Sequence, residues 1–86
     1  MPERPTLVQG SITDAIAQTI ELAIPDSTVL VTSSGGGHFT LEVTSKAFEG
    51  KNRVQSQRMV LSAIAHLMKG DAAPIHAIDS LRTHVG

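Results

Sequence analysis

Residues 28–44 read Thr28-Val29-Leu30-Val31-Thr32, then Ser33-Ser34-Gly35-Gly36-Gly37, then His38-Phe39-Thr40-Leu41-Glu42-Val43-Thr44. The first run is β-branched and apolar, which is the composition of a strand. In the last run Phe39, Leu41 and Val43 alternate with Thr40, Glu42 and Thr44, so one face of a half-buried strand is apolar. The glycines between them reach positive φ angles without steric cost, and residues 33–37 are expected to reverse the chain. A β-hairpin follows, with His38 where the loop rejoins the sheet.

Upstream, Ile12, Ala15, Ile16, Ile20, Ala23 and Ile24 recur at helical spacing and form an apolar stripe. Thr19 falls on its margin, while Asp14, Gln18 and Glu21 face away. Ser11 or Thr13 can cap this helix, Asp14 suits its positive N-terminal end, and Pro25 stops it. Downstream of the hairpin, Phe48 anchors a connection that turns at Gly50. A second helix is expected over residues 52–68, with Val54, Leu61, Ile64, Ala65 and Met68 on its buried face. Gln55 and Arg58 are its exposed candidates, and Lys69 and Gly70 are end signals. Residues 75–83 are short and partly alternating, so a third strand is expected there. The order helix–strand–strand–helix–strand gives an α+β fold, with helices packed on one face of a three-stranded sheet.

The 86 residues allow a single domain. A chain this short buries roughly 60–65% of the surface its unfolded form exposes. Two Phe are the only aromatic residues, so Ile, Leu, Val, Ala and Met must fill the core. Residues 1–10, with Pro2, Pro5 and Gly10, read as a flexible lead-in. The domain is expected over residues 11–83, followed by a tail at 84–86. No apolar run reaches the ~18–20 residues of a membrane span, and the start lacks a signal-peptide pattern. A cytoplasmic location is the resulting expectation.

The absence of cysteine excludes a disulfide scaffold and any thiolate metal site built by this chain alone. Net charge is −1, unevenly spread. Up to residue 43, Arg4 stands against Glu3, Asp14, Glu21, Asp26 and Glu42. Over residues 44–69, Lys46, Lys51, Arg53, Arg58 and Lys69 stand against Glu49 alone. That segment suits an anionic partner, although from charge alone the solvated face of a helix is the better account of it.

The run Ser34-Gly35-Gly36-Gly37-His38 lacks a following Gly-Lys-Ser/Thr and leads into a strand, so a hairpin accounts for it better than a phosphate loop. His38, His66, His76 and His84 include no pair at helical metal-site spacing. His66 reads as a surface or boundary residue and His84 as part of a frayed end. His38 and His76 each fall at a strand edge, where a ring nitrogen can meet an external ligand, although an ordinary exposed His has the same pattern. Two imidazoles supply half the donors of a four-coordinate site, so any metal needs a partner. Ser, His and Asp are present without a nucleophile elbow, and no enzyme activity is expected.

The stretch from His38-Phe39 through Val43-Thr44-Ser45 and Phe48-Glu49-Gly50-Lys51, then Arg53-Val54, Arg58-Met59-Val60 and Ile75-His76-Ala77-Ile78, resembles the BolA family. The resemblance spans roughly residues 11–83. Many members have Arg-His-Arg where this chain has Ser56-Gln57-Arg58; the central Gln and the Gly-rich approach to His38 are similar to the IbaG branch. Leu61 replaces a usual Tyr. The resemblance implies an αββαβ order similar to the class II KH fold. It also implies a non-enzymatic adaptor in iron–sulfur trafficking or iron homeostasis, whose partner is a monothiol glutaredoxin. In such complexes a [2Fe–2S] cluster is shared with glutaredoxin and glutathione thiolates, and the chain alone is expected to hold no cofactor. By position, His76 is carried over as the leading ligand and His38 as the second. The alternative is a DNA- or RNA-binding transcriptional regulator using Lys51, Arg53 and Arg58. The missing Gly-x-x-Gly clamp and the lack of Tyr or Trp count against it.

Overall fold

The structure, a computed structural model, describes residues 12–86. Helix α1 spans Ile12–Ala23, strand β1 Ser27–Gly35, strand β2 His38–Ser45, helix α2 Arg53–Ile64 and strand β3 Ala77–Val85. Short 3-10 turns at Lys46–Phe48 and Ala65–Leu67 flank α2. The three strands form one sheet in the order β1-β2-β3. β1 runs antiparallel to β2, and β3 runs parallel to it. A parallel neighbour needs a crossover connection, and α2 provides it. The expected α+β fold, with its helices on one face, is the one observed. Among the described residues no helix is long and apolar enough to cross a membrane.

Alternation in β2 sets the core. Phe39, Leu41 and Val43 are buried, and Ile16 and Ile20 of α1, with Ile24 just after it, lie against them together with Val60 and Ile64 of α2. Val29 and Val31 of β1 and Ile78 and Leu81 of β3 extend this layer. Phe48 and Ile75 close it from the connections. At roughly 1.5–3 kcal/mol for each fully buried large side chain, this cluster is the main favourable term for so small a chain.

Of the expected stripe, only Ile16 and Ile20 of α1 and Ile24 just beyond its end are buried; Ile12, Ala15 and Ala23 are exposed. Thr13 lies inside the helix and so does not cap it, while Ser11 and the lead-in 1–10 lie outside the described residues. Beyond Pro25, Asp26 takes a positive φ of 54°. Ser45 locks this corner to the end of β2. Its hydroxyl donates to the Pro25 carbonyl at 2.6 Å and accepts from the Ala47 amide at 2.9 Å.

α2 starts where expected, with a different rotation. Asn52 caps it: its side chain accepts from the Gln55 amide at 2.8 Å, and the Gln55 side chain accepts from the Asn52 amide at 3.0 Å. Asn52→Ala is expected to cost about 0.5–2 kcal/mol, read from the midpoint of urea unfolding. The buried row is Ser56, Val60 and Ile64. Val54 and Leu61, expected inside, are 54% and 38% exposed, and Ala65 is exposed as well. Apolar residues are spread around this helix, so spacing alone offers several faces. Tertiary contacts choose among them: Gln57 donates from Nε2 to the Leu81 carbonyl at 3.0 Å, which holds the Ser56 side toward the sheet.

The chain reversal is also tighter than expected. β1 continues through Gly35, which pairs with His38, leaving Gly36 and Gly37 as a two-residue turn. Both have positive φ, as a hairpin turn matched to strand twist requires. β3 begins two residues later than expected and runs on to Val85, so Ile75 is core and His76 precedes the strand. His84 is therefore a strand residue, bonded to Glu42 Oε2 at 2.7 Å, and not part of a frayed end.

Candidate metal-ligand site around the glycine turn

His38 opens β2, and His76 stands one residue before β3. In the parallel ladder His38 pairs with Ala77, the neighbour of His76, so residues 38 places apart in sequence meet at one end of the sheet. The Gly36-Gly37 turn sits between them. A methyl group on Gly36 would lie 3.9 Å from Cδ2 of His38, and one on Gly37 would lie 2.9 Å from Cγ of His76. The Gly37 carbonyl accepts from the amides of His76 at 2.8 Å and Ala77 at 3.1 Å. The glycines thus do more than turn the chain, since Gly37 leaves room for the His76 ring.

A second set of contacts fixes His38. The ladders on both sides of β2 slip near this point: Ser34 is the unpaired residue on β1, and Asp79 is the extra residue on β3. Such bulges re-aim side chains. Asp79 Oδ1 lies 2.9 Å from His38 Nδ1, and Asp79 Oδ2 lies 3.3 Å from the Ser34 hydroxyl. That hydroxyl is also 3.4 Å from the His38 carbonyl. The hydrogen bond from His38 is the main reason the Asp79 carboxyl is held below its ordinary pKa. Desolvation opposes this, and the charge of protonated His38 and the Ser34 hydroxyl add to it.

Ser, His and Asp are gathered here in an order unsuited to hydrolysis. In a nucleophilic triad the imidazole stands between hydroxyl and carboxylate. Here the carboxylate stands between Ser34 and His38, so the base has no nucleophile to activate. The donor set instead suits metal ligation by imidazole, with a carboxylate behind the ring. Among the described residues no group of three or more His, Asp or Glu side chains is placed to hold a metal ion. Two imidazoles are half of a four-coordinate donor set, which fits a group shared with another molecule.

Lys51 and Arg53 lie elsewhere. Together with Arg82 they line a cleft of about 350 Å³ between the start of α2 and residues 81–85 of β3, at the far end of that strand from His76. Arg58 is exposed on α2 and is not among the cleft residues. His66 is exposed on the 3-10 turn after α2. Ser34, Asp79 and Arg82 were not foreseen from the sequence. A signal for Asp79 existed: Ile78 and Leu81 are three apart, which a regular strand cannot place on one face, so an extra residue had to lie between them.

The BolA-like protein family model matches residues 11–84. A BolA protein homologue from Coxiella burnetii is similar in structure, with 34% identity, 85% of this chain and 88% of that chain covered, and a TM-score of 0.70. A Bol-like protein from Babesia bovis has 28% identity, covers 88% of each chain and gives 0.71. Yeast Fra2 has 27% identity, with 85% of this chain and 77% of that chain covered, and gives 0.64. No curated protein matches the chain. The match over residues 11–84 and the likeness to these solved structures agree, and the chain belongs to the BolA-like family.

Proposed function

We propose that this chain is a non-enzymatic adaptor that binds a monothiol glutaredoxin and shares a [2Fe–2S] cluster with it, in iron–sulfur trafficking or iron homeostasis. The observation that carries this reading is the meeting of His38 and His76 around the Gly36-Gly37 turn. His76 and His38 would be the two imidazole donors, and the partner and glutathione would bring the thiolates that this cysteine-free chain lacks. Imidazole in place of thiolate on one iron raises the reduction potential of a [2Fe–2S] centre. Both histidines are solvent-exposed, so an incoming partner reaches them without opening the core.

The test is reconstitution of the purified chain with a monothiol glutaredoxin, glutathione, iron and sulfide, followed by size-exclusion chromatography and visible absorption. Wild type is expected to form a heterocomplex whose spectrum differs from that of glutaredoxin alone. His76→Ala should abolish that difference, and His38→Ala should weaken it. A wild-type chain that neither binds the glutaredoxin nor alters its cluster spectrum contradicts the reading.

A nucleic-acid role is the second reading, favoured by the convergence of Lys51, Arg53 and Arg82 on one cleft. It predicts salt-dependent binding of single strands, with the salt slope reduced by about 1 for each phosphate-contacting cation removed. Arg53→Ala should show that reduction and Arg58→Ala should not. Fluorescence anisotropy across a salt series checks it.

A further inference from the structure

We propose that Asp79, braced by Ser34, is a positioning residue that holds His38 with its proton on Nδ1 and so leaves Nε2 as the donor atom offered to a shared cluster. The ligand half of this statement rests on the function proposed above; the tautomer half concerns the free chain.

Geometry supplies the first step. An ionised carboxylate is an acceptor only, so the 2.9 Å contact between Asp79 Oδ1 and His38 Nδ1 requires a hydrogen on Nδ1. In the neutral ring the other nitrogen then carries the lone pair. A free histidine side chain favours the opposite arrangement, with the proton on Nε2, so the partner at Nδ1 reverses the ordinary preference. Metal-bound imidazoles commonly have this pattern, one nitrogen on the metal and the other donating to a carboxylate.

The fold explains why Asp79 can reach the ring. Ile78 and Leu81 both pack against the core, although they are three residues apart. β3 accommodates this by placing Phe39 opposite Ile78 and Thr40 opposite Ser80, which makes Asp79 the extra residue. The irregularity on β1, between Ser33 and Gly35, frees Ser34 on the other side of the same histidine. The two bulges flank the start of β2. Ser34 then engages Oδ2 and leaves Oδ1 for the ring.

Both partners are well exposed, His38 at 48% and Asp79 at 44% of the side chain. A contact so open to water adds little to stability. Its effect is expected on the proton's position and the ring's orientation, which are read directly.

The first arm uses the free chain labelled with 15N, at a pH where the His38 ring is neutral, and reads the tautomer from long-range 1H–15N correlations. Wild type should show His38 mainly with the proton on Nδ1. Asp79→Ala should return it to mainly Nε2, and Asp79→Asn, which keeps an acceptor oxygen, should restore part of the wild-type pattern. A wild-type ring protonated mainly on Nε2, or one unchanged by Asp79→Ala, overturns the proposal. The second arm follows cluster loss to a chelator from the reconstituted heterocomplex. Asp79→Ala should accelerate it about 10–100-fold, the usual size of such outer-shell effects, and should add nothing in a His38→Ala background. Equal acceleration in both backgrounds shows that Asp79 acts without His38 and overturns its positioning role. A wild type that forms no heterocomplex contradicts the function proposed above, while the tautomer is decided in the first arm on its own.

Discussion

Phe48→Ala is expected to destabilise the chain by about 3–5 kcal/mol, enough to leave much of an 86-residue domain unfolded at room temperature. Phe48 is 1% exposed and is one of two aromatic side chains in the chain. It lies in the 3-10 turn between β2 and α2, where it packs into the cluster formed by both helices and the sheet. The cavity left by its ring has no other large side chain nearby in sequence to fill it, because Lys46, Glu49 and Lys51 are charged and exposed. Urea denaturation followed by circular dichroism checks this. A loss below 1 kcal/mol would mean that the connection, and with it the start of α2, is not anchored as described.

Gly37→Ala is the second large effect, and it falls on the site. Gly37 has φ of 81°, a region that costs an L-residue roughly 1–2 kcal/mol. Gly50 has φ of 80° and open space where a Cβ would stand. Gly50→Ala therefore carries the backbone cost alone and is the natural control. At Gly37 the added carbon would also stand 2.9 Å from Cγ and 3.1 Å from Cβ of His76. Those atoms are next to the backbone, so the ring cannot simply swing aside and the start of β3 must shift. Gly37→Ala is expected to lose more stability than Gly50→Ala and to abolish the His76-dependent cluster spectrum, which Gly50→Ala should keep. Equal behaviour of the two variants would show that the glycine turn does not shape the His76 position.

What the residues alone revealed divides along physical lines. The alternation of Phe39, Leu41 and Val43 is a local pattern, and β2 formed where it said. Asn52 and Gln55 make a local capping box, and α2 begins there. Rotation of that helix was a different matter. Val54 and Leu61 are as apolar as Val60, and only packing against the sheet and the Gln57–Leu81 bond select the buried row. The bulges at Ser34 and Asp79 arise from the pairing of three strands, and no window of local sequence contains all three. His38 and Asp79 are 41 residues apart, so their contact exists only once β3 lies beside β2. The two histidines themselves stood out less by spacing than by the resemblance to the BolA family. Their approach around Gly36-Gly37 comes from the parallel ladder, which pairs His38 with Ala77, the residue after His76.

Pulsed EPR of the reduced heterocomplex, prepared with this chain labelled with 15N and the glutaredoxin and glutathione unlabelled, tests the central claim most directly. Imidazole nitrogens bound to iron should give strong 15N couplings that come from this chain alone; His38→Ala should remove one set of them and His76→Ala, which loses the shared-cluster spectrum, should remove them all. A cluster whose spectrum carries no strong 15N coupling would show that neither His76 nor His38 is a ligand, and would contradict the shared-cluster account.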